Sequence, residues 1–252
     1  MEALWGTGIL NHPFYWSFFA AYCLIYAFGY LVVFRNWNPK HRPEASSCFI
    51  SFVHGTPAAV MAVAAIMAAP GRWAFEAPNT HFQSIVLDYS IAYFTVDLLH
   101  YIIFYPGDYL FIAHHLATLF VFITCRYLVF HGAFALLVLL VLAEVTSFCQ
   151  NVWTLAKIQK AESDAAARVY DLLSPPFFSL YTVARGFLGP LFFYKMSIFY
   201  ISGKARDVMS WWISLSWILV VGAAISVSIL WVVNHWLELF RERTTKEQKK
   251  AS

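Results

Sequence analysis

Seven apolar runs, each 20 to 25 residues long, leave this chain few folds to choose from. They cover 15–34, 48–69, 85–105, 109–130, 133–156, 172–194 and 211–235. About 20 such residues, at a helical rise of ~1.5 Å each, cross the hydrocarbon core of a bilayer. Lipid offers no partner for an unpaired backbone N–H or C=O, so these runs must be helical. Composition agrees. Only 12% of the 252 residues are charged and 60% are hydrophobic, with a mean hydropathy of +0.61. Soluble domains carry about 25% charged residues, so there is too little charge here to coat a globule in water. The expected fold is an all-α polytopic membrane bundle of about seven transmembrane helices.

The first run follows a segment without a basic n-region, and it reads as a retained span rather than a cleaved signal. Pro106, Gly107 and Asp108 form a turn signal between the third and fourth runs, and His131 and Gly132 separate the fourth from the fifth. Both tight links imply antiparallel neighbours. The four cysteines, Cys23, Cys48, Cys125 and Cys149, lie in or beside apolar runs without a C-x-x-C pair, which points to neither a disulfide framework nor a thiolate metal site.

The formal net charge is only +3, and no nucleic-acid partner is expected. Its distribution says more. Eleven Lys and Arg residues, among them Arg35, Lys40, Arg42, Lys157, Lys160, Arg168 and the tail from Arg241, fall on one side of the alternating loops. Four, namely Arg72, Lys195, Lys204 and Arg206, fall on the other. The positive-inside rule puts the N-terminus in the lumen and the C-terminus in the cytosol. The chain ends Lys249-Lys250-Ala251-Ser252, which matches a dilysine retrieval signal read by coat proteins on cytosolic tails. The expected location is the endoplasmic reticulum membrane.

An ionisable side chain at membrane depth costs at least ~2.5 kcal/mol and is a functional hypothesis by default. The chain has His54, Asp88, Asp97, His100, His114, His115, Glu144 and Arg185 there. Apart from Asp88, which reads as interfacial near the lumenal end, most belong to the cytosolic half of spans two to five. Tyr93, Asp97 and His100 recur at i, i+4, i+7, and Glu144, Ser147 and Asn151 at i, i+3, i+7, so each set shares a helix face. Neighbours on a helix point about 100° apart, so His114 and His115 cannot serve the same partner. One is a candidate base or nucleophile, with Asp97 or Glu144 holding its tautomer. The alternative is one ring bonded to a neighbouring helix and the other snorkelling toward the cytosol. His54 fits a bundle hydrogen bond as well as a base, and Asp97 with His100 also fits a structural pair. Arg185 calls for a counter-charge, for which Glu144 is the candidate, or else a substrate headgroup. Pro175, Pro176 and Pro190 are expected to bend or fray the sixth span. No metal is expected, because a histidine-box HxxHH pattern would need His where Phe111 stands.

Several segments together resemble the TLC family, which includes the ceramide synthases and translocon-associated proteins. They are Ser51-Phe52-Val53-His54, Asp97, Asp108 ahead of FIAHHLAT (Phe111 to Thr118), AEVTSFCQNVW (Ala143 to Trp153) and VARGFLGP (Val183 to Pro190). The resemblance implies six helices around a cavity, with the first span outside them. It divides the chain into 1–47, a domain over 48–235, and a charged tail over 236–252. It also implies roles in acyl transfer from acyl-CoA for His114 and His115. Ceramide synthases carry two aspartates one turn apart in the following span. Here Glu144 stands for the first, while Ser147 and Asn151 occupy the other matching positions. The similarity is therefore to the small TLC-domain membrane proteins. The expected function is binding or handling of a membrane lipid through His54, Tyr93, His100, Glu144, Ser147, Asn151 and Arg185. The alternative is an acyl-CoA-dependent N-acyltransferase using His114, His115 and Asp97, with acyl-CoA as co-substrate and no other cofactor.

Overall fold

Helix boundaries follow the local chemistry of the chain. The computed structural model describes residues 13–71 and 73–251, apart from the side chains of 242, 243 and 245–251; Arg72 and the side chains of Lys249 and Lys250 therefore lie outside the described residues. The described residues form seven helices: α1 (Pro13–Val33), α2 (Arg42–Ala68), α3 (His81–Phe104), α4 (Tyr109–Val129), α5 (Ala133–Gln159), α6 (164–201) and α7 (Trp211–Ala251). No strand occurs among the described residues. Thr80 and Gln83 form a reciprocal capping box at the start of α3, and the carboxylate of Asp108 accepts from Phe111 N at the start of α4. Pro43 fits the first turn of α2, which starts six residues ahead of the apolar run that announces it. Gly132 turns the chain from α4 to α5 with φ +86°, a left-handed conformation suited to glycine.

Six of the helices are long and apolar enough to cross a membrane. The seventh, α6, carries Arg185, Gly186, Gly189 and Pro190 in its central stretch. It continues helically through Pro175 and Pro176, is π-helical over Thr182–Leu188, and returns to α-helix over Gly189–Ile201. Pro190 explains the wide turn: it has no N–H to close on the preceding turn, and its ring crowds that carbonyl. The expected distortion is thus one π-helical turn in a helix that stays continuous.

The helices form a closed ring in the order α2, α3, α4, α7, α6, α5 and back to α2, while α1 packs outside against α2 and α3. The protein is a multi-pass membrane bundle with six helices around a cavity. Lipid tails are as apolar as leucine, so the bundle is held by close packing and buried hydrogen bonds rather than by escape from water. Small residues permit that packing: Ala45, Ala58, Ala62 and Ala65 of α2 are buried. Gly55 meets α5 so closely that a Cβ there would lie 2.7 Å from Ser147 Cβ. Trp217 of α7 donates to Thr124 Oγ1 of α4 at 2.8 Å, closing another seam of the ring.

Asp88 is a correction to the sequence reading. It is fully buried, and Arg126 of α4 binds it through Nε at 2.9 Å and Nη2 at 3.0 Å, with Tyr127 OH at 2.6 Å. The π-helical turn Cys125–Val129 contributes both partners. A carboxylate near a span end reads as interfacial until a cation on the facing helix is found to pair with it.

Candidate functional site

The ring encloses a cavity of about 270 Å³, lined by residues of all six of its helices. One end of the bundle bears the α1–α2, α3–α4 and α5–α6 connections and the C-terminal tail; it is called the tail side here. The cavity is polar toward that side, where Ser47, Asp97, His114, Glu144, Asn151 and Arg185 contribute. Deeper in, its wall is Phe122, Leu136, Leu140, Val220, Val221 and Ile225.

His115 is fixed at both ring nitrogens. Nδ1 is 2.8 Å from the carbonyl of Phe111, one turn back, and Nε2 is 2.8 Å from Asp97 Oδ2 on α3. A carbonyl only accepts, so Nδ1 carries hydrogen, and the carboxylate occupies the other nitrogen. His115 therefore has no free lone pair to offer a substrate. Ser47 of α2 donates to the second Asp97 oxygen at 2.6 Å, which ties three helices together. His114 differs. Its ring makes no hydrogen bond among the described residues, its Nδ1 is buried without a partner, and it lies edge-to-face against Trp231 of α7. Of the two, His114 is the imidazole with nitrogen available to a ligand.

The second polar group is built on a break in α5, whose α-helical segments are Ala133–Glu144 and Ser147–Gln159. Ser147 donates to Glu144 Oε2 at 2.5 Å, and Asn151 donates to Ser51 of α2 at 2.8 Å. Arg185 does not bind Glu144 as its sequence suggests. Its Nη2 donates to the carbonyl of Ala143, beside the break, at 2.7 Å, and the guanidinium lies over the Tyr181 ring. A helix break leaves a carbonyl short of its usual donor, and the π-helical turn of α6 brings Arg185 to it.

The other expected site residues divide. Tyr93 lines the cavity, whereas His54 and His100 do not. His54 is fully buried behind the wall, bonded to Ser90 at 3.1 Å and stacked flat on Tyr93 with ring centroids 3.9 Å apart. His100 faces α1, where Tyr26 OH is 2.8 Å from its Nδ1. The cavity face of α3 follows the i+4 row Tyr93, Asp97, Tyr101, and His100 falls on the opposite flank of that row, about 100° from Tyr101. Gln150, beside Asn151 near the tail-side end of the fifth span, also lines the cavity, as do Glu44, Tyr101, Phe111, Thr154 and Trp231, which escaped the sequence reading. Of these only Glu44, an acid in a basic segment, carried any signal. No group of three or more His, Cys, Asp or Glu that could hold a metal gathers among the described residues.

The TLC domain family matches residues 44–236, a span that includes every cavity-lining residue. This chain belongs to the TLC-domain family. A TLC domain-containing protein of Arabidopsis thaliana is 58% identical to it over 228 residues, covering 90% of this chain and 89% of that one. No solved structure matches. For this TLC-domain protein, the matched segment starts at the first turn of α2 and runs through the ring to Trp236 of α7; α1, outside the ring, is also outside the match.

Proposed function

We propose that this protein binds a membrane lipid in its intramembrane cavity, head toward the tail side and acyl chain toward the apolar half, and so contributes to lipid homeostasis. The observation that carries this reading is the polarity of the cavity along its length. On α4 alone the lining runs from Phe111 and His114 to Phe122, about 16 Å at ~1.5 Å per residue. One end offers hydrogen-bonding groups and the other only hydrocarbon, which is the layout of an amphiphile. Titration of the delipidated protein in detergent with a fluorescent single-chain amphiphile is expected to saturate at one per chain. Folded protein with no saturable binding overturns the reading.

The excess of Lys and Arg on the tail side supports a cytosolic tail, and Lys249 and Lys250 support retrieval to the endoplasmic reticulum by coat proteins. Replacing both lysines by alanine in an N-terminally tagged chain is expected to send the protein onward in the secretory pathway. Unchanged retention removes the signal from the account.

A second reading, N-acyl transfer from acyl-CoA, is favoured by the unbonded His114 ring beside the fixed His115–Asp97 pair. In that reaction an amine attacks the thioester carbonyl, coenzyme A leaves as the thiolate, and His114 takes the amine proton. His115 positions its neighbour and is not the base. Product formed from labelled acyl-CoA and a long-chain amine, lost in His114→Ala and kept in Phe130→Ala, establishes the enzyme. Lipid binding without product leaves the first reading alone.

A further inference from the structure

Two opposite charges line this cavity without pairing. Arg185 and Glu144 make no ion pair with each other, although Arg185 bonds to the carbonyl adjacent to Glu144 in the chain. That carbonyl takes one N–H of the guanidinium, and the Arg185 Nε has no partner among the described residues. Glu144 accepts from Ser147 at Oε2, while Oε1 stands 3.9 Å from His54 Nδ1, too far for a hydrogen bond. Two other buried carboxylates of the bundle are paired: Asp88 with Arg126, and Asp97 with His115. A charge in a low-dielectric interior is costly unless it is paired, so two that lack an ion pair and face one cavity call for a ligand that answers both.

We propose that the cavity selects a zwitterionic headgroup, its anionic oxygens on Arg185 and its ammonium on Glu144, with the acyl chain in the apolar half. This rests on the lipid-binding reading above and adds the charge pattern of the head. An anionic head satisfies Arg185 but meets like charge at Glu144 and at Glu44, which also lines the cavity. A cationic head satisfies the acids and leaves Arg185 unanswered beside a second cation. A neutral head leaves both charges open. Only a head bearing both signs completes the pair, and the repulsion felt by the others supplies the discrimination.

The test is a competition series on the wild-type protein. A bound fluorescent amphiphile is displaced by four competitors whose single hydrocarbon chains have the same number of carbons: lysophosphatidylethanolamine, lysophosphatidic acid, a long-chain primary amine and a monoacylglycerol. The zwitterion is expected to displace it at about tenfold lower concentration than any other, the ratio of one unmatched charge contact. Equal displacement by all four, or preference for the amine or the anion, overturns the inference and leaves lipid binding standing. Failure of the probe itself to bind overturns the binding reading, and this inference with it. Arg185→Gln is expected to move the preference toward the amine, and Glu144→Gln toward the anion. If either variant does not fold, the wild-type series still decides.

Discussion

Adjacent in the chain, His114 and His115 meet surroundings that make opposite predictions for their loss. His115 holds Asp97, which is 4% exposed, so His115→Ala leaves a buried carboxylate with no cation and only the Ser47 hydroxyl to answer it. Breaking a buried pair in this way costs about 3–5 kcal/mol. A fall of many degrees in the apparent Tm of the purified protein is expected. His114→Ala gives up no hydrogen bond, and its Tm is expected within a few degrees of wild type. Equal losses in the two variants would contradict the geometry described for the pair. Asp88 and Arg126 obey the same rule on the far side of the bundle. Arg126→Met is expected to destabilise by about 3–5 kcal/mol, and adding Asp88→Asn is expected to recover most of it, because the double change leaves no unpaired buried charge. A thermal-stability cycle of the four proteins checks this; additive losses would deny the pairing. The unequal roles of His114 and His115 were half legible in the chain. Their 100° separation follows from helical geometry, but which ring meets a carboxylate depends on how α4 is rolled against α3. Arg126 was hidden by the apolar run that contains it.

The elements depend on one close crossing, where α2 and α5 meet at Gly55. A Cβ at that position would stand 2.7 Å from Ser147 Cβ and 3.0 Å from Glu144 Oε2. Gly55→Ala therefore pushes two helices apart at the level of the polar group, and overpacking of this kind costs about 1–3 kcal/mol. The expected result is a lowered Tm together with weaker amphiphile binding, partly restored by Ser147→Gly, which removes the obstructing Cβ. No effect of Gly55→Ala would place α2 and α5 farther apart than described. The number of helices was legible because a span in lipid needs length and hydropathy, and both are local properties. Their faces were less so. The i, i+4, i+7 rule put Tyr93, Asp97 and His100 together, yet the cavity follows the i+4 row to Tyr101, and His100 turns to Tyr26. The rule ranks neighbours on one helix; it does not say which side of that helix a second helix, here α1, will cover. In α6 the signal was present, since Pro190 marks a distortion. Its consequence, a π-helical turn that brings Arg185 to the Ala143 carbonyl, required the position of the break in α5.

At the scale of the whole molecule, the ring is what makes a chamber of these helices, and its hydrocarbon half has no hydrogen bond to lose. That separates ligand binding from stability. Ala224 of α7 lines the apolar wall with Val220, Val221 and Ile225, so Ala224→Trp places an indole where the proposed acyl chain lies. A side chain filling empty apolar space regains dispersion contacts that the cavity lining lacks, so the Tm is expected to hold or rise. Binding of the fluorescent amphiphile is expected to weaken by more than about tenfold, because a ligand of this class gains most of its affinity from the buried chain. Leu230→Trp supplies the contrast. Leu230 is 56% exposed on the outer surface of the same helix, where an indole meets only lipid, and binding is expected to be unchanged. If Ala224→Trp binds as tightly as wild type while Leu230→Trp also binds, the chain lies elsewhere. The polar collar would then be serving a ligand that never enters the ring.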